Sequence, residues 1–241
     1  MNRLGLLGSS GRMGKLIDQI TQKDFFNQAQ VCMRVHRGDD LQTLLRPGAV
    51  DVVIDVSLPA VMRELATHAL QCQQELPAFV VGSTGWTEDG LSDLKKLAKK
   101  TPVLLSSNFS VGVYTLNKIL KDHSTLLKKL GYMPVLVETH HCHKKDAPSG
   151  TALSLQKSLQ PYSPQEIQTH CIRAGEVIGD HEITFYGSAD QIKLAHSAQD
   201  RSIFARGAIE VALWLASLRK HSKVSGKLLE MTDYFEHLSL K

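Results

Sequence analysis

Short runs of Val, Ile and Leu alternate with helical patterns through the first half of the chain. Strands are predicted at 3–7, 31–35, 52–56, 79–82 and 103–105, each entering a segment with Gly, Ser, Pro or Asn, and helices at about 12–21, 60–72 and 91–99. Near-continuous apolar runs suit strands covered on both faces, and the alternation with helices points to a parallel sheet flanked by helices. After Asn108 the pattern changes. A helical stretch at 113–130 leads to one apolar run, 135–137, and then to a polar loop. A capped helix is predicted at about 149–159, followed by strands of a mixed or antiparallel sheet at 167–172, 182–186 and 191–196. The last helix, at about 203–218, carries Ile203, Val211, Leu215 and Leu218 at helical spacing, the mark of a core-facing stripe. The pattern thus predicts an α/β unit followed by an α+β unit.

Composition narrows this little. The 241 residues, 42% hydrophobic and 22% charged, are those of an ordinary globular chain with enough length for one large domain or two modest ones. Lys plus Arg is 28 and Asp plus Glu 24, a net +4 without a run of five like charges. That gives no footprint for duplex DNA and leaves small anionic ligands open. Cys32, Cys72, Cys142 and Cys171 are scattered with no C-x-x-C pair, as cytosolic thiols are. The N-terminus reaches Gly5 before a signal-type apolar core develops and no 18-residue apolar stretch follows, so an intracellular, soluble protein is expected, without nucleic-acid or membrane partners.

Directly after the first strand stands Gly8-Ser9-Ser10-Gly11-Arg12-Met13-Gly14, a G-x-x-G-x-x-G run that opens a helix. Gly8 suits the tight turn, Gly11 lets backbone N–H groups approach a pyrophosphate, and Gly14 allows the helix to pack closely on the strand. The helix N-terminus would face the phosphates, so a dinucleotide is the expected ligand. An acidic residue usually ends the second strand to bind the ribose 2′-hydroxyl. Here His36-Arg37 stands in its place, and the forked cation of Arg37 suits a 2′-phosphate, which favours NADPH over NADH. Asp39 and Asp40 are near enough to restore NADH binding if the turn lies differently. Gly82-Ser83-Thr84-Gly85 and Ser107-Asn108-Phe109-Ser110 follow two further strands, where ligands of open parallel sheets lie.

The densest chemistry is the run from Glu138 to Ala152, with His140, His141, His143, Lys144 and Lys145 ahead of a Ser149-Gly150-Thr151 helix entry. Ser149 is a natural cap, and the helix start beside concentrated positive charge forms an anion pocket. Zinc is the competing ligand for His140, His141, Cys142 and His143. Adjacent residues rarely converge on one tetrahedral ion, and two lysines would repel it, so no metal is expected. A nucleophilic Cys142 lacks an orienting partner in the sequence.

The string E-x-H-H-x-x-K-x-D-A-P-S-G-T-A, with G-x-x-G-R-M-G after the first strand and N-F-S-x-G in the middle, resembles the 4-hydroxy-tetrahydrodipicolinate (dihydrodipicolinate) reductase family. Arg173-Ala174-Gly175, Gly179-Asp180-His181 and the segment 201–208 extend the resemblance over nearly the whole chain. It implies a cytoplasmic, homotetrameric enzyme of diaminopimelate and lysine biosynthesis that reduces a cyclic imine dicarboxylate with NADPH or NADH. It implies a Rossmann-like nucleotide domain, 1–111 with 202–241, and a substrate-binding and oligomerisation domain, 112–201. His140 would be the proton donor and Lys144 the second catalytic, substrate-binding residue; His141, Ser149, Gly150 and Thr151 would bind substrate. Gly8, Ser9, Ser10, Gly11, Arg12, Met13, Arg37, Gly82, Ser83, Thr84, Ser107, Asn108, Phe109 and Ser110 would contact the cofactor. Three departures stand out: His36 replaces the family's acidic residue, the loop between the second and third strands is short, and the Ile-Gly expected upstream of Arg173 is absent. The alternatives are another NAD(P)-dependent imine or amino-acid dehydrogenase and a non-catalytic NADP-binding sensor.

Overall fold

The structure, a computed structural model, describes residues 1–221 and 226–239. The chain divides into two compact units, one formed by 1–109 with 204–241 and the other by 110–203.

The first unit is built on β1 (Asn2–Leu7), β2 (Ala29–Val35), β3 (Val52–Asp55), β4 (Ala78–Val81) and β5 (Val103–Leu105), linked by α1 (Arg12–Asp24), α2 (Pro59–Gln71) and α3 (Glu88–Leu97). All pairs are parallel, in the order β2-β1-β3-β4-β5. β3 and β4 are buried at every position, as their unbroken apolar runs require. On α1 the buried residues Gly14, Ile17, Ile20 and Thr21 recur at helical spacing and give it one core face. The strand order reverses direction between β1 and β3, so the loops leaving these strands border the crevice where such sheets bind ligands.

Two local features depart from the sequence reading. α3 starts at Glu88 rather than near 91, because the Thr87 hydroxyl accepts the Gly90 N–H and Glu88 and Asp89 complement the positive helix end. The connection after β2 contains a 3₁₀ turn, Leu41–Leu45, that buries Leu41, Leu44 and Leu45 under an Asp40 cap.

The second unit comprises α4 (Val111–Lys129), β6 (Met133–His140), α5 (Gly150–Ser158), β7 (Gln168–Arg173), β8 (Asp180–Tyr186) and β9 (Gln191–Ser197). Its mixed sheet runs β7-β6-β8-β9, with β6 and β7 parallel and the other pairs antiparallel. Leu116 and Leu120 of α4 and Leu155 of α5 form a core with Leu136, Ile183 and Phe185 of the sheet. β6 is longer than the apolar run 135–137. It continues through Glu138 to His140, and Leu136, Glu138 and His140 alternate onto the covered face. The polar stretch therefore begins as strand.

The chain then returns to the first unit with α6 (Ser202–Lys220) and α7 (Met231–Ser239). α6 extends two residues beyond its apolar stripe and buries Ala205, Ala208, Ile209, Val211, Ala212, Leu215 and Ala216. Neither α7 nor the pairing of Leu229 with the edge strand β5 was expected from the sequence. Among the described residues no helix is long and apolar enough to cross a membrane.

Candidate active site

In the first unit the glycine loop is shaped by close backbone approach. Gly8 holds a φ of +86°, and a Cβ there would stand 2.9 Å from the backbone of Val56 and Ser57. A Cβ on Gly14 would stand 2.4 Å from the Gly8 carbonyl oxygen. Gly11 is the N-cap of α1, with no side-chain cap and no acidic residue in the first turn. The helix thus presents its positive end and backbone donors, which fits a pyrophosphate. Ser10, Gly11, Arg12 and Arg37 are exposed and Met13 half-buried, whereas Ser9 is buried. Its Oγ donates to the Val35 carbonyl and lies 3.0 Å from His36 Nδ1, so it stitches the loop to the end of β2. Asp39 accepts the His36 N–H and Asp40 the Gln42 N–H, which commits both carboxylates to the local turn.

At the end of β3, Asp55 is fully buried and was not recognised from the sequence. It accepts the Ser57 N–H at 2.9 Å, the Ser57 hydroxyl at 2.5 Å and the Ser83 hydroxyl at 2.6 Å. Burial raises its pKa above the ordinary carboxylate value, against these hydrogen bonds. Asp55 thereby fixes the two turns that follow β3 and β4. Thr84 and Ser107 are exposed and Gly82 and Asn108 half-buried, but other expected cofactor contacts turn inward. The Ser83 side chain is held by Asp55, and Phe109 is buried with its ring close over Gly82. Ser110 belongs to the second unit, where its buried hydroxyl caps α4 by accepting the Val113 N–H.

In the second unit, Glu138 and His140 lie two residues apart on the covered face of β6, 0% and 8% exposed. Oε1 of Glu138 accepts from the Ser149 N–H at 3.1 Å and from Nη2 of Arg173 at 2.8 Å. Oε2 stands 2.7 Å from His140 Nδ1, at hydrogen-bond distance though not aligned for a linear bond. Burial alone would raise the Glu138 pKa, but the Ser149, Arg173 and Cys171 hydrogen bonds and the nearby His140 bring it down to about 2. The His140 pKa is lowered chiefly by burial; Glu138 and Asp146 oppose this, while Lys144 and Arg173 add to it. His181 of β8 meets the His140 ring edge-on at 5.2 Å, and burial drives its pKa down to about 4, so it is neutral at pH 7.

Arg173 also donates to the Asp146 carbonyl, which ties the loop after β6 to β7. On that loop Lys144 pairs with Asp146 at 2.8 Å, and the half-buried His141 accepts the Lys144 N–H on its carbonyl. Gly150 and Thr151 begin α5, with Gly150 exposed and Thr151 half-buried. Ser149, expected as a substrate contact, caps α5. It is 1% exposed, its hydroxyl accepting the Ala152 N–H and lying 3.3 Å from His181 Nε2. His143 is exposed, 4.0 Å from Glu176.

Glu138, Arg173 and His181 are thus functional neighbours of His140 to which the sequence reading gave no role. The available signal was a charged residue at an alternate, inward position of a strand. Glu138, His140 and His181 also bring metal-type donors together, but the Arg173 guanidinium already supplies the cation beside that carboxylate.

The model of the dihydrodipicolinate reductase N-terminus matches residues 2–109, and that of the C-terminus matches residues 112–235. A 4-hydroxy-tetrahydrodipicolinate reductase from Campylobacter jejuni subsp. doylei is 31% identical, over 99% of this chain and 98% of its own. One from Helicobacter acinonychis is 36% identical over 88% and 94%. The fold matches that of a dipicolinate-bound dihydrodipicolinate reductase from Paenisporosarcina sp. TG-14 with a TM-score of 0.74, at 20% identity over 95% and 97% of the two chains. With both halves matched and relatives similar over nearly their full length, the chain belongs to the dihydrodipicolinate reductase family of NAD(P)H-dependent oxidoreductases.

Proposed function

We propose that this chain reduces the cyclic imine dicarboxylate derived from 4-hydroxy-tetrahydrodipicolinate to tetrahydrodipicolinate, with NADPH preferred over NADH, in diaminopimelate and lysine biosynthesis in the cytoplasm. What supports the reading beyond family membership is His140, held at a strand end beside Lys144 and the start of α5, where a base, a cation and a helix dipole meet one anionic ligand. The reduced nicotinamide, when bound, supplies the hydride. The glycine loop fits its pyrophosphate, and Arg37, exposed at the end of β2, would pair with the 2′-phosphate. Thr84, Ser107 and the Gly82 and Asn108 backbone would line the remainder.

Lys144, His141 and the Gly150-Thr151 helix entry would hold the two carboxylates, with the substrate competing with Asp146 for the ammonium. The ring carbon that accepts the hydride leaves its neighbour electron-rich, and His140 delivers the proton there. Lys144 would stabilise the charge that develops meanwhile. The second face of the mixed sheet carries exposed Met133, Ile172 and Tyr186 beside half-buried Val135 and Val137, and we assign that face to assembly of a homotetramer.

The test couples the preceding synthase to this protein and follows loss of the NADPH absorbance. Turnover is expected; binding of NADPH without consumption would identify a sensor, and turnover of other imines alone a different dehydrogenase. Arg37→Ala should reduce the NADPH/NADH ratio of kcat/KM by roughly tenfold or more, the scale of one lost charge-assisted hydrogen bond. An unchanged ratio removes Arg37 from the phosphate site.

A further inference from the structure

We infer that Glu138 is a positioning residue for the reaction: its buried carboxylate decides which nitrogen of His140 carries the resting proton, and so makes Nε2 the atom that passes a proton to substrate. The inference rests on the reading of His140 as proton donor given above.

Strand alternation puts Glu138 and His140 on one face. Two donors, the Ser149 N–H and Arg173 Nη2, converge on Oε1. That leaves Oε2 facing His140 Nδ1 at 2.7 Å. A bare ring lone pair and a carboxylate oxygen repel at this distance, so Nδ1 holds a proton in both charge states of the ring. Proton gain and loss then fall to Nε2. Space on that side comes from Gly179, where a Cβ would stand 3.1 Å from Nε2. The other charged or titratable groups facing His140 do not substitute for Glu138. Arg173 from β7 and Lys144 from the loop are cations, and Asp146 is paired with Lys144. His181 from β8 is neutral, and His196 on β9 is a neighbour of His181.

Glu138→Gln keeps the size and separates the possibilities. With two donors at Oε1, the amide oxygen must take that place, so the NH2 group faces Nδ1 and makes it an acceptor. Neutral His140 would then carry its proton on Nε2, and the imidazolium would lose its carboxylate partner. Expected results are a kcat lowered roughly 10²- to 10⁴-fold, the scale of general acid catalysis, with KM for the imine and affinity for NADPH changed by less than about threefold. The high-pH decline of residual kcat/KM should move to lower pH, because a charge that favours imidazolium is gone while Arg173 and Lys144 remain. In ¹⁵N-histidine NMR the wild-type protein should show neutral His140 as the Nδ1–H tautomer and Glu138→Gln as Nε2–H. The wild-type spectrum requires no variant to fold, and an Nε2–H signal there would overturn the inference. So would near-wild-type kcat in Glu138→Gln alongside an inactive His140→Ala. An active His140→Ala sinks instead the underlying assignment of the proton donor.

Discussion

Gly14 and Gly11 lie three residues apart in one loop, yet the structure asks different things of them. A methyl on Gly14 would stand 2.4 Å from the Gly8 oxygen, 2.6 Å from Ser9 Cα and 2.8 Å from the Ser9 oxygen, all backbone atoms. Normal contact is about 3.5 Å or more, so either α1 or the loop must move by about an ångström. Overpacking of this kind costs about 1–3 kcal/mol. Because all three contacts are with backbone, the cost lies toward the upper end of that range; the better helix propensity of Ala offsets up to about 1 kcal/mol of it, so Gly14→Ala should lose about 1–2 kcal/mol net. At Gly11 a methyl would meet the Gly8 oxygen at 3.3 Å, the backbone φ is −70° and the residue is exposed. Gly11→Ala should therefore cost about 0.5–1 kcal/mol, the difference between Gly and Ala as an N-cap with no clash added. Its methyl would nevertheless stand where phosphate oxygens approach the helix start, and affinity for NADPH should fall about tenfold or more. Urea unfolding and fluorescence titration with NADPH measure the two effects separately. Wild-type stability in Gly14→Ala would refute the packing argument, and wild-type affinity in Gly11→Ala would show that the pyrophosphate lies elsewhere.

His140→Ala should lower kcat by roughly 10²- to 10⁴-fold without loss of fold, whereas Lys144→Ala should affect both KM and kcat, since one ammonium both binds and stabilises; steady-state kinetics with circular dichroism as the folding control checks both. Asp55 predicts a pH dependence. Burial raises its folded pKa above the ordinary carboxylate value, so the folded state holds a proton that the unfolded chain has released. Stability conferred by protonated Asp55 is lost as pH rises from the ordinary carboxylate value through the raised one, and Asp55→Asn should flatten that slope in urea melts carried upward from the ordinary carboxylate range; an identical slope in the variant would assign it to another group.

Much of the first unit was legible because its signals are local. The unbroken apolar runs at 52–54 and 79–81 announce strands covered on both faces, and the loop glycines announce the turn and the packing of α1. What escaped depended on groups far apart in sequence. Leu229 joins β5 across more than a hundred residues, and Asp55 meets, besides its neighbour Ser57, the hydroxyl of Ser83, 28 residues on. At the second site the histidine and lysine were visible as a cluster, but the extent of β6 was not, because Glu138 and His140 do not look like strand-core residues. Their inward positions follow once Arg173, 35 residues away, is seen to meet Glu138. The capping role of Ser149 was legible from its place before Gly150-Thr151, whereas its backbone bond to Glu138, 11 residues back, was not.

Asp55 and Glu138 make a natural comparison, since each is fully buried near the end of a strand and holds the segment that leaves it. Their pKa values nonetheless move in opposite directions, Asp55 upward and Glu138 down to about 2. Burial opposes ionisation in both, and both accept hydrogen bonds from backbone and side chain. Desolvation weighs more heavily on Asp55, and Glu138 accepts from Ser149 and from a guanidinium at 2.8 Å, whereas only neutral serine groups donate to Asp55. A charge-assisted bond is roughly twice as strong as a neutral one, so Arg173 adds to the effect of Ser149 in holding Glu138 ionised. The consequence is functional. Glu138 remains charged throughout the range in which a histidine titrates, so it keeps one orientation of His140 while the ring gains and loses its proton. A neutral carboxylic acid there could donate to Nδ1 as readily as accept from it, and the resting proton would have no fixed place. On the reading of His140 as the proton donor, Arg173 and Ser149 would together keep the proton path defined by holding Glu138 ionised, without either side chain having to touch the substrate.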